Sequence, residues 1–463
     1  MNPPDRRHFI RTSLAATAGL IAAPRLFAAD SPNKVLQVVQ IGCGRMGMGD
    51  MGGVLKNKRA RVIGVCDLDK RRAANGKETV DKHYAKKGGA KGSARIYPSY
   101  QAVLADPAVD AVVVSLPDHW HGLVATAAAI AGKHMYVQKP LTYNIQEAFA
   151  LRKAVRAKKV ILQTGSQQRS ENPFTAFRAA AEAVRNGRLG KIKTVKIGVG
   201  IDKPSGKRPA PMPVPDTFDF ETWLGPAPQQ PYMEGRVHPQ NSFDGRPGWI
   251  TTEDFGLGMI TNWGAHHIDI AHWAMGQELG GPLEIDAKAD FMTDDVWTVH
   301  HHYHIEMLYP DAVTVILDDK FENGILFEGE EGTVFCARGA AKVTATDPNA
   351  PTEGAKALRA SKGSILSPLD AAAKRFPASK DHYDNWIDAV FANTDPIAPV
   401  DQAACSLEAC AAAWIGMKLG RKVKWDAVKK EFPGDAAANA LRGRKARKPE
   451  FDISLMMKKA GLA

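Results

Sequence analysis

Cysteine is scarce in this 463-residue chain, and the five present build no framework. Cys43 and Cys66 stand far from Cys336, and Cys405 and Cys410, five apart, would face different ways on a helix. Buried free thiols are expected, not a disulfide scaffold. Nowhere does an apolar run reach the ~20 residues of a membrane helix. Internal repeats and low-complexity segments are absent, and so is any nucleic-acid motif. Net charge is +11, of which residues 1–29 hold +3; a mild excess remains at Arg442, Arg444, Lys445, Arg447 and Lys448, without interleaved aromatics. A solvated basic tail is the expectation there, with no nucleic-acid partner. With 44% hydrophobic and 24% charged residues, the composition is that of an ordinary soluble protein. The length suits two or three domains.

What is present is organised around Val35 to Gly47. A buried strand, Val35 to Ile41, runs into Gly42-x-Gly44-x-x-Gly47 and then a helical stretch. Gly42 suits a tight turn, Gly44 close approach of the backbone to a pyrophosphate, and Gly47 close packing of helix on strand. The helix N-terminus offers free N–H groups to phosphate. A second β-rich run, Ala60 to Cys66, ends in Asp67, 25 residues after Gly42 and near the ~20 expected of a carboxylate that accepts from a ribose 2′-OH. A dinucleotide site is expected. Asp67 favours NAD by repelling a 2′-phosphate, while Arg45, Arg71 and Arg72 leave NADP open.

Upstream, Arg6-Arg7 precedes Phe9-Ile10, a short apolar run from Ser13 to Ala23, and Leu26-Phe27-Ala28-Ala29. Residues 1–29 resemble a twin-arginine (Tat) signal with a cleavage site. The expectation is export in the folded state, with the cofactor acquired first, to a periplasmic or secreted location.

From Lys34 to Ser166, strands alternate with helices, which predicts a doubly wound parallel sheet over 33–165. The strands are Val35–Ile41, Ala60–Cys66, Ala94–Tyr97, Asp110–Pro117, His134–Val137 and Val160–Thr164. Helices are expected at 70–87, 99–104 with Ser99 as cap, 121–131 and 144–158. Residues 166–425 read as an α+β domain with a mixed or antiparallel sheet, and 426–463 as a tail. In it, helix 173–186 and strand 191–199 precede a Pro/Gly-rich passage, Ile201 to Trp249, expected to form a lid or rim. A helix at 256–273, strands within 287–335, a polar loop at 351–374 and helices at 382–392 and 402–419 follow.

Two constellations carry chemistry. Gln138-Lys139-Pro140 ends a parallel strand at the carboxyl edge where ligands bind in this architecture. A lysine there can stabilise the alkoxide that forms as hydride leaves carbon, although a surface lysine before a turn proline reads equally well. In Asn262-Trp-Gly-Ala-His266-His267-Ile-Asp269, one helix would place Asn262, His266, Asp269 and Trp273 on one face. A neutral histidine near its ordinary pKa suits the role of general base. His300, His302 and His304 share one face of a strand; with no carboxylate or cysteine spaced to complete a shell, a sheet face or subunit contact is favoured over metal.

Taken in order, these pieces resemble the Gfo/Idh/MocA oxidoreductases. To them belong Pro117-Asp118-x-x-His121, where that family usually has Pro-Asn-x-x-His, Gly132-Lys133-His134, and Gln138-Lys139-Pro140 in place of Glu-Lys-Pro. Gly165-Ser-Gln167-Gln168-Arg169 and Asn262-x-x-x-His266 in place of Asp-x-x-x-His complete the series. The resemblance implies an N-terminal Rossmann domain, a C-terminal α+β domain whose open sheet forms homo-oligomers, and a bound nicotinamide. It implies hydride chemistry on a sugar, cyclitol or glycoside. Lys139 matches the lysine that meets substrate and cofactor, His266 the base, and His121 a residue beside the cofactor; Asp67 and Arg72 would face the adenine ribose. Gly42, Gly44, Arg45, Met46, Gly47, Pro117 and Gln138 complete the cofactor set. Asn262 would bond a sugar hydroxyl, with Gln168, Arg169, Tyr232 and Trp249 on the substrate rim. Gln138 and Asn262 each remove a carboxylate, and the second loss should weaken His266 as a base.

Export bears on function, because a dissociable nicotinamide would serve one turnover outside the cytoplasm. A tightly held cofactor reduced and reoxidised in one cycle avoids this. Three functions follow: an oxidoreductase on CH–OH groups; a redox-assisted glycosidase resembling the NAD-dependent N-acetylgalactosaminidases; and a sugar-binding protein that has lost catalysis.

Overall fold

A computed structural model describes residues 35–86, 88, 94–339 and 357–463. The expected signal, 1–29, and part of the expected loop at 351–374 lie outside them.

The first layer is a six-stranded, wholly parallel sheet of order β3-β2-β1-β4-β5-β6. Its strands are β1 (Leu36–Ile41), β2 (Ala60–Cys66), β3 (Arg95–Ile96), β4 (Ala111–Val114), β5 (His134–Val137) and β6 (Leu162–Thr164). Helices α1 (Arg45–Lys56), α2 (Lys70–Ala85), α3 (Tyr100–Ala105), α4 (Asp118–Ile130) and α5 (Ile145–Lys158) connect them. Ser99 caps α3 through Ala102 N, and Asn144 caps α5 through Glu147 N. Because side chains alternate along a strand, Leu36, Val38, Ala111 and Val113 pack with Met51 and Val54 of α1 on one face. Val39, Ile41, Val112 and Val114 meet Leu123 and Val124 of α4 and Leu151 of α5 on the other.

The second layer is an eight-stranded sheet of order β13-β12-β11-β7-β10-β9-β8-β14. These strands are β7 (Ile192–Gly198), β8 (Glu284–Phe291), β9 (His300–Leu308), β10 (Thr314–Asp318), β11 (Gly324–Gly329), β12 (Gly332–Cys336), β13 (Leu358–Ala360) and β14 (Val423–Lys424). Among the described strands only β7 and β10 pair in parallel, so the sheet is mixed. Helices α6 (Thr175–Arg185), α9 (Gly264–Met275) and α11 (Val400–Leu419) bury one face. The other is open: His302, His304, Glu306 and Leu308 of β9 are exposed between buried neighbours.

Four expectations change. The stretch 256–273 is not one helix: α8 (Met259–Asn262) stops at Trp263, and α9 starts afresh. Residues 201–249 hold a short helix, α7 (Phe220–Leu224), and the aromatics Phe218, Phe220, Trp223 and Tyr232, which cluster with Phe255 beyond the passage. Helix α10 (His382–Ala392) returns to the first sheet, where Trp386 and Ile387 join the β1 core. The basic C-terminus is packed, with Ile453 and Met457 of α13 (Ile453–Lys459) against the same domain and Arg444 4.0 Å over the Tyr143 ring. Between α11 and α13 lies α12 (Ala436–Ala440).

Candidate active site

Order reverses in the first sheet between β1 and β4, and there the loops leaving the strand ends part to make a crevice. Gly42 takes φ +90°, and a Cβ on it would lie 2.2 Å from the Ser115 carbonyl oxygen. Only glycine fits both constraints. A cleft runs from this loop, past Asp67, Arg72, Ser115 and Pro117, to Gln138 and Lys139 at the end of β5. It closes on Trp249, Asn262, Trp263, His266 and Arg338 of the second domain.

The residues at its first end suit a dinucleotide. A Cβ on Gly44 would meet nothing within 4 Å, so the loop backbone stands open to a ligand, whereas on Gly47 it would lie 1.9 Å from the Gly42 carbonyl oxygen. The first turn of α1 points its N–H groups at that space and holds no acid to compete with phosphate. Asp67 accepts from Cys43 N at 2.7 Å and Asp69 N at 2.8 Å, which fixes its carboxylate at the cleft wall. Arg71 is tied to Asp69 and Gln240, and Arg72 to the carbonyls of Pro239, Ser242 and Phe243 at 3.2–3.4 Å. Both guanidinium groups are thus already engaged by protein.

At the other end, Lys139 Nζ donates to Asn262 Oδ1 at 2.8 Å and to Asn262 O at 2.7 Å. Asn262 therefore holds the lysine. His266 lies one turn on, its Nδ1 without a hydrogen bond among the described residues. Burial pushes its pKa well below the ordinary value, and Arg338, Lys139, His267 and His382 push the same way. The imidazole is neutral and weakly basic, not near its usual pKa as expected. Behind the lysine, Gln138 Nε2 donates to both oxygens of Asp50, on α1, at 2.8 and 3.0 Å. A carboxylate thus does stand against the residue before the lysine, brought from another element.

Lining the cleft are the expected Gly42, Gly44, Arg45, Met46, Asp67, Arg72, Pro117, Gln138, Lys139, Trp249, Asn262 and His266. Others are elsewhere. Arg169, 2% exposed, makes a bidentate ion pair with Asp269 at 2.6 and 2.8 Å and passes 5.2 Å from the Trp273 ring. The break at Trp263 has turned Asp269 and Trp273 inward, away from the Asn262 face. Gln168 is buried between His267 and Arg338, whose Nε donates to Gln168 Oε1 at 3.0 Å; its neighbour Gln167 lines the cleft instead. Tyr232 belongs to the aromatic cluster. His121 sits behind the site, its Nδ1 donating to Pro140 O at 2.7 Å, and burial lowers its pKa to about 4. Gly47 serves packing. Residues missed were Asp50, Gln167, Trp263 and Arg338, the last 4.3 Å over the Trp263 ring. Asp50 alone had a signal, as an acid on the apolar stripe of α1.

His302 and His304 are exposed and paired with Asp319 and Asp318, the latter raising the His304 pKa. A shift of register at Asp290/Phe291 separates them from His300, which is buried. The three do not share a face. Among the described residues, no group of three or more His, Cys, Asp or Glu side chains is disposed to hold a metal ion.

Residues 36–166 match the family model for the NAD-binding Rossmann fold of the Gfo/Idh/MocA oxidoreductases, and residues 203–350 that for their C-terminal alpha/beta domain. The chain belongs to the Gfo/Idh/MocA family. It is similar to the myo-inositol 2-dehydrogenase of Thermotoga maritima, 31% identical over 123 residues, covering 27% of this chain and 34% of that one. It is also similar to glycosyl hydrolase family 109 protein 2 of Shewanella sp. strain ANA-3, 28% identical over 167 residues, covering 32% and 36%. The chain spans about a third of the length of the curated relatives it matches. Its fold resembles the aldose-aldose oxidoreductase from Caulobacter crescentus crystallised with glycerol, with a TM-score of 0.57 at 18% identity over 84% of this chain and 99% of that one.

Proposed function

We propose that this protein is an NAD-dependent oxidoreductase acting on a hydroxyl carbon of a sugar, cyclitol or glycoside. The observation that carries this reading is the shared cleft: Lys139, Asn262 and His266 stand at one end and the open glycine loop at the other. Gly42, Gly44, Arg45, Met46 and Asp67 would hold the dinucleotide, and the nicotinamide when bound supplies the hydride acceptor. His266 takes the substrate hydroxyl proton as the C–H bond gives up its hydride, leaving a carbonyl. Lys139 donates to the oxygen and stabilises its developing charge, which lowers the basicity demanded of so weak an imidazole. Asn262, with Oδ1 committed to Lys139, offers Nδ2 to a second hydroxyl.

The Asp67 carboxylate and the engaged Arg71 and Arg72 support NAD over NADP. Residues 1–29 support export by the twin-arginine machinery to the periplasm or medium, and with it a cofactor that stays bound through a closed redox cycle. The open face of the second sheet is the surface for a homo-oligomer.

A second reading, the redox-assisted glycosidase, needs a proton donor for the leaving group, and Asp118, in the helix turn that follows the cleft residue Pro117, is an acid held protonated near it. This residue is buried on the first turn of α4, and burial raises its pKa while Lys139 opposes the shift. The reading is also in keeping with the likeness to glycosyl hydrolase family 109 protein 2.

The test is to gel-filter the mature protein, denature it and quantify the nicotinamide released. Near-stoichiometric NAD(H) supports a closed cycle, and release of aglycone from a chromogenic glycoside then selects the glycosidase. Failure to retain or bind NAD overturns both readings.

A further inference from the structure

We propose that Asp50, on the helix that follows the glycine loop, is the positioning residue of Lys139 and takes the place of the carboxylate absent at Gln138. Asp50 has no exposed surface. Its Oδ1 accepts from Gln138 Nε2 and from Tyr383 OH, both at 2.8 Å; Oδ2 accepts from Ser115 Oγ at 2.6 Å and again from Gln138 Nε2 at 3.0 Å. Ser115 Oγ in turn receives Gln40 Nε2 at 3.2 Å, so its one proton is committed to Asp50. Every neighbour is thus a donor, the arrangement an ionised carboxylate requires. Gln138 passes the constraint on, its Oε1 accepting from Lys139 N at 3.2 Å. At the other end, Gln40 Nε2 also donates to Gly42 O at 2.8 Å. One chain of hydrogen bonds therefore joins the glycine loop to the lysine.

Charge fixes the pairing. The titratable groups facing Asp50 are Tyr383 of α10, Tyr136 of β5 and Lys139, and Lys139 is the cation that favours its charged form. A glutamate at 138 would set a second carboxylate against Asp50, and like charges that close cannot both ionise. Asp50 and Gln138 are a matched pair, with one acid between them. Burial raises the Asp50 pKa to about 6, which leaves it ionised at neutral pH.

The inference rests on Lys139 working as proposed above, but its test does not need turnover. The full-length protein is labelled with acetic anhydride over a range of pH, and modification of Lys139 is read by peptide mass spectrometry. Asp50→Asn removes one of the two buried acids that act on the ammonium, Asp118 being the other, and reactivity of Lys139 at pH 8 should rise about tenfold. Tyr383→Phe removes one donor but leaves the carboxylate in place, and its labelling at pH 8 should stay close to that of the unaltered protein. Asp50→Asn/Gln138→Glu returns the charge on the other residue and should restore the original profile. Unchanged labelling in Asp50→Asn overturns the proposal, as does an equal rise in Tyr383→Phe or a change the double variant fails to reverse, since either marks a packing role. Turnover of myo-inositol with NAD is followed in parallel. Labelling that behaves as expected in a protein inactive on every hydroxylated substrate would sustain the role of Asp50 and refute the oxidoreductase.

Discussion

Gly44 and Gly47 should fail in opposite ways when each is replaced by alanine. Gly44 has φ −74°, acceptable to any residue, and its Cβ would enter empty space, so Gly44→Ala should fold normally. That space is where the loop backbone must approach the pyrophosphate. A methyl group there should raise the Kd for NAD at least tenfold, equivalent to about 1.4 kcal/mol or more. At Gly47 the new Cβ would sit 1.9 Å from the Gly42 carbonyl oxygen, and ordinary contacts begin near 3.4 Å. Helix α1 would have to move by more than an ångström against a strand whose own turn is fixed by Gly42. Overpacking of this kind costs about 1–3 kcal/mol or more, or roughly 4–10 °C in the melting temperature of a domain this size. The assay is thermal unfolding of apo protein and calorimetric titration with NAD. Equal NAD affinity in Gly44→Ala, or wild-type melting in apo Gly47→Ala, would refute the assignment of the loop.

His266→Ala should lower kcat by about 10²–10⁴ while nicotinamide binding, read by fluorescence, changes little. Arg169→Met strands the buried Asp269 charge and should cost about 3–5 kcal/mol in urea unfolding, with the specific activity of the folded fraction retained. Asp50 holds its proton more tightly folded than unfolded, so stability should fall as pH rises from about 4 to 6. The deficit above pH 6 is about 3 kcal/mol, and Asp50→Asn should remove it in melts at pH 4 and 7. Replacing Arg6 and Arg7 together by lysine should keep the chain in the cytoplasm, as cell fractionation would detect.

Much of the first domain was legible because its signals are local. The glycine turn, the apolar runs of β4 and β5 and the cap Ser99 each sit within a few residues of what they specify. What escaped depends on partners far along the chain. Arg169 follows the strand that closes the sheet, where a substrate contact is reasonable, yet its partner Asp269 lies 100 residues on. The helix α10 reads as a helix, but nothing in its sequence says that Trp386 packs on β1. Periodicity misled at Asn262, because a face drawn through residues 262 to 273 assumes an unbroken helix, and the break at Trp263 rotates the second half. Gln167 and Gln168 show the same limit on a smaller scale, since in a tight turn adjacent side chains diverge and only one can face the cleft.

Departures from a family pattern are weighed wrongly when each is taken alone. At the level of sequence, Gln138 and Asn262 each subtract a carboxylate, and together they argue for a protein that has lost its chemistry. In three dimensions each amide has a partner. Gln138 leans on Asp50, an acid placed on a helix stripe otherwise made of Gly47, Met51, Val54 and Leu55, where burying a carboxylate is costly unless something near it gains. Asn262 accepts from Lys139 and leaves His266 without an acid beside it, in keeping with an imidazole held neutral by burial. A binding protein would have no use for a buried acid poised near neutral pH next to a lysine in the cleft. Carrying Asp50 at a cost in stability is what a working site accounts for and a mere binding site does not.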